Sequence, residues 1–185
     1  MIKQIIFDVG NVLLNFDPAA MISTVTSHPR KAALLRREIF SHSDWSRLDR
    51  GEGEEAVLLS MKARLPGELH PLADRLMAHW HESLTPIEEM GELVEELYRL
   101  NYPLYILSNA PFRFYAFRDR IPGYDRMRGV TLSCEEGLLK PDPALYRRML
   151  ERFGLRGEET FFIDDSPLNV ESAQWCGLTA FQFRR

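Results

Sequence analysis

Hydrophobic and polar positions divide this chain into two regimes. From residue 86 onward, apolar runs without alternation take turns with stretches of helical periodicity, whereas residues 18–85 show only the helical period. Consecutive apolar positions mark strands buried on both faces, as in parallel sheets. Five segments have this character: 3–9, which breaks at Asp8-Val9-Gly10-Asn11; 104–107, ending in Ser108-Asn109; 130–133; 160–163, ending in Asp164-Asp165; and 178–183. Helices are predicted between them. Ser166 stands as an N-cap with Pro167 at the first helical position and Gly177 past the end, and another helix begins near Asp142-Pro143 and stops at Gly154. A third, over 87–100, spaces Met90, Leu93, Val94, Leu97 and Leu100 by three and four, an apolar stripe suited to cover a sheet. The alternation predicts an α/β fold, a Rossmann-like parallel sheet with helices on both faces.

Residues 18–85 interrupt that order, with helical periodicity over 32–40, 54–65 and 72–80. The expected division is a Rossmann-like core from 1–15 and 86–185 and a small helical cap domain from 16–85. Helices packed on the sheet as a simple crossover are the alternative, although about 70 residues is more than a crossover needs. All five histidines fall in this insert. His79 and His81, two apart, do not face one another on a helix and cannot form an i, i+4 metal pair.

Composition narrows the partners. A chain of 185 residues, 45% hydrophobic and 27% charged, can bury a large core. Its 27 acidic against 23 basic residues give a net charge of -4, so neither nucleic acid nor an anionic membrane is an expected partner. Cys134 and Cys176 show no metal or disulfide spacing. No apolar run approaches the ~18 residues of a spanning helix, and the start lacks a signal-peptide pattern. A soluble cytoplasmic protein, monomeric, is the expectation.

Open parallel sheets bind ligands at the carboxyl ends of their strands, where Asp8, Ser108, Asn109, Lys140, Asp164 and Asp165 are expected to gather. Singly each has a dull explanation as a turn, a cap or a solvated loop residue. Together they supply three carboxylates, a hydroxyl and an ammonium to one crevice. Carboxylates crowded without a cation push one another's pKa values up, so the set asks for a divalent metal, and all-oxygen ligands suit Mg²⁺. Magnesium in turn suggests a phosphate ester. Three carboxylates and a dianion amount to about -5 against about +3 from Mg²⁺ and Lys140, leaving the remainder to hydroxyl and backbone donors.

These residues resemble the four motifs, in order, of the haloacid dehalogenase (HAD) superfamily of hydrolases. Phe7-Asp8-Val9-Gly10-Asn11-Val12 is similar to the first, Leu107-Ser108-Asn109 to the second, Lys140-Pro141 to the third and Phe162-Ile163-Asp164-Asp165 to the fourth. The resemblance spans essentially the whole chain, and the insert matches the family's subclass I cap. It implies Asp8 as nucleophile and metal ligand, Lys140 as a catalytic and phosphate-binding group, and Ser108 and Asn109 as phosphate binders. It also implies a metal site of Asp8, the Gly10 carbonyl and Asp165, with Asp164 a neighbour or water-mediated ligand, and Asn169 bracing the acidic pair.

One departure matters. Most phosphatases of the family carry a second Asp where this chain has Gly10, and that Asp protonates the leaving alcohol. Loss of such a group typically forfeits a factor of ~10²–10⁴. The first motif also resembles a bacterial subgroup that includes glucose 1-phosphate phosphatases, whose acidic anomeric hydroxyl leaves more readily. The implied activity is therefore hydrolysis of a small phosphate ester, glucose 1-phosphate among the candidates, through an aspartyl-phosphate. Two alternatives remain within the family: dehalogenation, in which halide leaves without a proton, and a phospho-ligand binder that has lost turnover. A response-regulator receiver is excluded by motif order. Asn15, Phe16 and Asp17, where the chain leaves for the insert, and Trp45 and Arg47 within it, are candidate specificity residues. Packing, caps and salt bridges explain them equally well. The arginine-rich stretch 113–128 is expected to be a solvated loop.

Overall fold

The computed structural model describes residues 1–184. The first strand, β1 (Gln4–Phe7), leads through a tight turn to the two-residue β2 (Leu14–Asn15) and then to the insert. The insert holds five helices: α1 (Pro18–Ser23), α2 (Pro29–Leu35), α3 (Asp44–Asp49), α4 (Glu54–Arg64) and α5 (His70–His79). It closes at β3 (Thr85–Pro86). Thereafter α6 (Glu88–Arg99), β4 (Leu104–Ser108), α7 (Phe114–Phe117), β5 (Met127–Leu132) and α8 (Ser133–Glu136) follow. The chain ends with α9 (Pro143–Phe153), β6 (Thr160–Asp164), α10 (Pro167–Trp175) and β7 (Thr179–Gln182).

The main sheet is parallel throughout, in the order β5-β4-β1-β6-β7. Its continuous apolar runs are explained by the strand period of two. Ile5, Phe7, Leu104, Ile106 and Ile163 point to one face, while Ile6, Tyr105, Leu107 and Phe162 point to the other. On the second face α9 supplies Leu145, Tyr146 and Met149, and α10 supplies Ala173. On the first face α6 contributes Met90 and Val94, and the same buried cluster continues without a break into Met21, Leu35, Met61 and Leu76 of the insert.

Several expectations need correction. The segment that carries the candidates Trp45 and Arg47 is the short helix α3, and helix 32–40 ends early and continues as a π-helical turn, Arg36–Phe40. That turn buries Glu38, whose charge is met by Arg37 at 2.6 Å and Arg64 at 2.9 Å. β2 and β3 pair antiparallel and tie the two ends of the insert together, a ladder too short for any periodicity to announce. Leu100, counted in the apolar stripe, is exposed beyond the end of α6. Arg113 is no solvated loop residue, because it forms an ion pair with Glu54 of α4 and so joins the insert to the core. Ser166 caps α10 by position only; the carboxylate of Asp164 accepts the Ser166 N–H at 2.8 Å instead.

Asp44 anchors the middle of the insert, accepting from Arg47 at 2.9 Å and lying 2.8 Å from Arg64. Burial pushes its pKa up, but Arg47, Arg64 and Ser60 more than offset this and hold it at about 2. A depressed carboxyl pKa stabilises the fold above the unfolded value near ~4, and that stability is lost as pH falls through the folded value. Asp44→Asn should therefore destabilise the protein by about 1–2 kcal/mol at neutral pH, discounted because both arginines are partly solvated. Thermal unfolding of the two proteins should converge between pH 4 and pH 2. A gap independent of pH would contradict this assignment.

Candidate active site

Strand order reverses beside β1, with β4 and β5 on one side and β6 and β7 on the other. Such a switch point opens a crevice at the carboxyl ends of the strands. Asp8 follows β1 directly, Ser108 ends β4, and Asp164 ends β6 with Asp165 next to it. Lys140 arrives differently from expectation: it lies in the loop between α8 and α9 rather than at a strand end. The side chain of Asn109 fixes that loop, donating to the Lys140 carbonyl at 2.9 Å and accepting its N–H at 2.8 Å.

The buried Lys140 ammonium has three donors and uses all of them. They reach Asp8 Oδ1 at 2.8 Å, Asp164 Oδ2 at 2.7 Å and the Leu107 carbonyl at 3.0 Å. Burial alone would lower its pKa, but Asp8 and Asp164 reverse the shift and raise it, so the side chain stays charged. Asp164 is saturated in turn, since Asn169 donates to both of its oxygens at 2.9 and 3.1 Å and the Ser166 N–H takes Oδ1. Tyr146 holds the backbone carbonyl of Asn169 at 2.9 Å.

Asp8 is held on one side only. Its Oδ1 accepts from the Val9 N–H at 2.7 Å as well as from Lys140, and among the described residues no hydrogen bond reaches Oδ2. Burial raises its pKa to about 6, with Lys140 pulling down and Asp164 pushing up. Burial also raises Asp165, against the opposing hydrogen bond from Asn11 at 3.2 Å. Asp8, Asp164 and Asp165 offer ligand oxygens within 4.8 Å of one another, so the cluster can hold a metal ion. The donor chemistry fits a hard cation: oxygen only, crowded, and with two of the carboxyls held above their ordinary pKa.

Beside this cluster opens a recess between the core and the insert, with Ser108 and Asn109 at its floor and apolar walls of Leu14, Phe16, Trp45, Trp80, Leu84 and Phe117. Phe16, Trp45 and Trp80 pack edge to face with centroids 5.2–6.0 Å apart. The remaining sequence candidates lie off the recess. Arg47 is engaged with Asp44 and Glu52, Asp17 caps α1 by accepting the Ala19 N–H at 2.8 Å, and Asn15 bonds Thr85 across the β2–β3 ladder. No histidine lines the recess.

Two residues were not singled out by the sequence. Asn11, in the left-handed conformation at φ 55°, turns the chain after Asp8, donates to Asp165 and accepts the Phe16 N–H at 3.1 Å. Asp49, at the end of α3, lines the recess with only 9% of its surface exposed. Burial, then the Asp8 charge, raises its pKa to about 7. Its sole sequence signal is Gly51 two residues on, which marks a turn of the chain.

Sheet order, helical insert and acidic crevice together define a Rossmann-like α/β protein with a metal-competent site at its switch point. The model of the haloacid dehalogenase-like hydrolases matches residues 2–177, and the chain belongs to that family. It is similar to a sesquiterpene phosphatase of Aspergillus oryzae, 28% identical over 183 residues covering 95% of this chain and 87% of the relative. It is also similar to an (S)-2-haloacid dehalogenase of Burkholderia cepacia, 23% identical over 194 residues covering 100% of this chain and 84% of the relative. Among solved structures it resembles a HAD family enzyme of Bacteroides thetaiotaomicron in complex with magnesium and inorganic phosphate. The TM-score is 0.78 at 22% identity, covering 100% of this chain and 95% of the other, a likeness of fold. No helix among the described residues is long and apolar enough to cross a membrane.

Removing the ammonium tests the electrostatics of the crevice. Lys140→Met leaves Asp8 and Asp164 buried and unpaired, which should cost about 3–5 kcal/mol in urea unfolding at pH 7. Protonation of Asp8, whose pKa burial raises to about 6, relieves the repulsion, so the deficit should shrink as pH falls toward 5 in metal-free buffer. Wild-type stability in the variant at pH 7 would refute this account of the triad.

Proposed function

We propose that this protein is a Mg²⁺-dependent phosphatase that hydrolyses a small phosphate monoester through an aspartyl-phosphate on Asp8. The observation that carries the proposal is the convergence of Asp8, Asp164 and Asp165 around a buried, fully engaged Lys140. Asp8, Asp165 and the Gly10 carbonyl would hold the metal, with Asp164 behind them. Bound there, Mg²⁺ supplies the positive charge that lets a phosphate dianion approach a carboxylate.

The chain's own groups do the rest. Lys140 and the Val9 N–H orient the Asp8 carboxylate through Oδ1, leaving Oδ2 directed to attack phosphorus. The Ser108 hydroxyl and the backbone N–H groups of Gly10 and Asn109 bind the phosphoryl oxygens. Asn109 serves through its backbone, its side-chain amide being engaged with Lys140. Phe16 and Trp45 of the insert exclude water over the site and contact the leaving group.

The recess favours an apolar leaving group. Its walls offer few donors and acceptors to the hydroxyls of a sugar, so glucose 1-phosphate, whose acidic anomeric oxygen compensates for Gly10, is the weaker of two substrate ideas. The sesquiterpene phosphatase among the relatives points the same way. Dehalogenation by Asp8 is the second reading, favoured by Gly10 because halide leaves without a proton. Against it, the three-carboxylate cluster has no use in a reaction that needs no cation.

Phosphate release from p-nitrophenyl phosphate should require Mg²⁺ and disappear in Asp8→Asn. Phosphates of aliphatic alcohols should show a higher kcat/KM than glucose 1-phosphate. Absence of turnover with Mg²⁺ would overturn the phosphatase reading and leave dehalogenation or ligand binding to be assayed. Preference for the sugar phosphate would overturn the apolar leaving group alone.

A further inference from the structure

The first turn lacks a proton donor, yet the recess contains a carboxyl that the mechanism above leaves unused. A side chain at Gly10 would meet nothing within 4 Å, so the position from which an acid could act stands open. Gly10 and Asp49 line the same recess, Gly10 from the turn after β1 and Asp49 from the last turn of α3. Asp49 Oδ1 is fully buried and has no hydrogen-bond partner among the described residues, an arrangement that costs free energy unless a bound group completes it.

The placement of Asp49 is built into the contact between insert and core. Ser133, just after β5, donates its hydroxyl to the Asp49 carbonyl at 2.6 Å and accepts the Ala110 N–H at 2.9 Å. Gly51, at φ +89°, passes so close to the Cys134 carbonyl that a Cβ there would stand 2.4 Å from the oxygen. The end of α3 is thereby seated against the loop that follows β4 and the start of α8, and Asp49 lines the recess beside Gly10. Other buried unsatisfied atoms, such as Thr131 Oγ1 and His81 Nδ1, do not line it.

We propose that Asp49, carried by the insert, is the general acid and base of the reaction, in place of the group absent at Gly10. This rests on the phosphatase reading above. As Asp8 Oδ2 bonds to phosphorus and the ester P–O bond breaks, the leaving oxygen takes the proton of the Asp49 carboxyl and departs as an alcohol. Water then attacks the aspartyl-phosphate, giving its proton to the Asp49 carboxylate as the bond from Asp8 to phosphorus breaks. Inorganic phosphate leaves and Asp49 is again protonated. Burial, which raises its pKa to about 7, keeps a usable fraction of the acid form near neutrality. The reaction thus requires the insert to be seated on the core.

The test compares Asp49→Asn with wild type on p-nitrophenyl phosphate, whose phenolate leaves without a proton, and on hexyl phosphate, whose alkoxide cannot. The expected loss of kcat/KM, which reports only the step in which the alcohol departs, is larger on hexyl phosphate than on p-nitrophenyl phosphate by roughly 10²-fold or more. Equal losses on the two esters, or no loss on hexyl phosphate, would overturn the role of Asp49 and leave the phosphatase reading intact. So would a wild type that cleaves only the aryl ester. A wild type that cleaves neither counts against the phosphatase reading itself. If Asp49→Asn does not fold, the wild type decides. Across aryl and alkyl phosphates its kcat/KM should vary only weakly with leaving-group basicity, and a steep dependence would overturn the proposal.

Discussion

The buried ammonium of Lys140 is the interaction on which the site depends. Asp8 and Asp164 close adjacent parallel strands, so the sheet brings two carboxylates together where water is largely excluded. Unpaired, they would repel, and the Asp8 carboxyl, already raised by burial, would hold its proton more tightly still. Lys140 makes the pair tolerable. Its own position depends on a side chain from a third strand end, because Asn109 clasps the backbone on which it sits. One ion pair network therefore couples the ends of β1, β4 and β6 to the loop before α9. Orientation of the Asp8 carboxylate and integrity of the sheet edge are the same property.

The insert completes what the sheet begins. Its apolar core is continuous with that of the sheet, its two ends are tied by the β2–β3 ladder, and Arg113 with Glu54 and Ser133 with Asp49 fasten it from the core side. The core supplies the charged groups, while the insert supplies apolar walls and one buried carboxyl. In the proposed reaction that division puts selectivity for the leaving group in residues remote in sequence from Asp8.

Much of this was legible in the chain. Asp8, Ser108 and Asp164 each close an apolar run, and a sheet buried on both faces announces its strands by such runs. Gly177 and Gly154 marked helix ends by the positive φ they adopt. What escaped was tertiary. Lys140 was expected in the site, but the way it arrives, on a loop held by Asn109 across 31 residues, is recorded by no local pattern. Asp49 resembled one more charge in a charged segment, and its burial comes with the seating of α3 on the core, where Ser133 holds its carbonyl. Arg47 and Asp17 looked equally functional, yet nearby carboxylates and a helix end account for them. Local periodicity reports which face a residue is on, whereas the identity of its neighbour depends on how distant segments meet.

The central claim is that Asp8 becomes phosphorylated during turnover. Acid quenching of the Mg²⁺-loaded protein during steady-state hydrolysis of p-nitrophenyl phosphate, followed by peptide mass spectrometry, tests it most directly. The account predicts one added phosphoryl group on the peptide that contains Asp8, labile to hydroxylamine and absent from Asp8→Asn. Turnover that proceeds in the wild type with no phosphoryl adduct, or with the adduct on another residue, would contradict it.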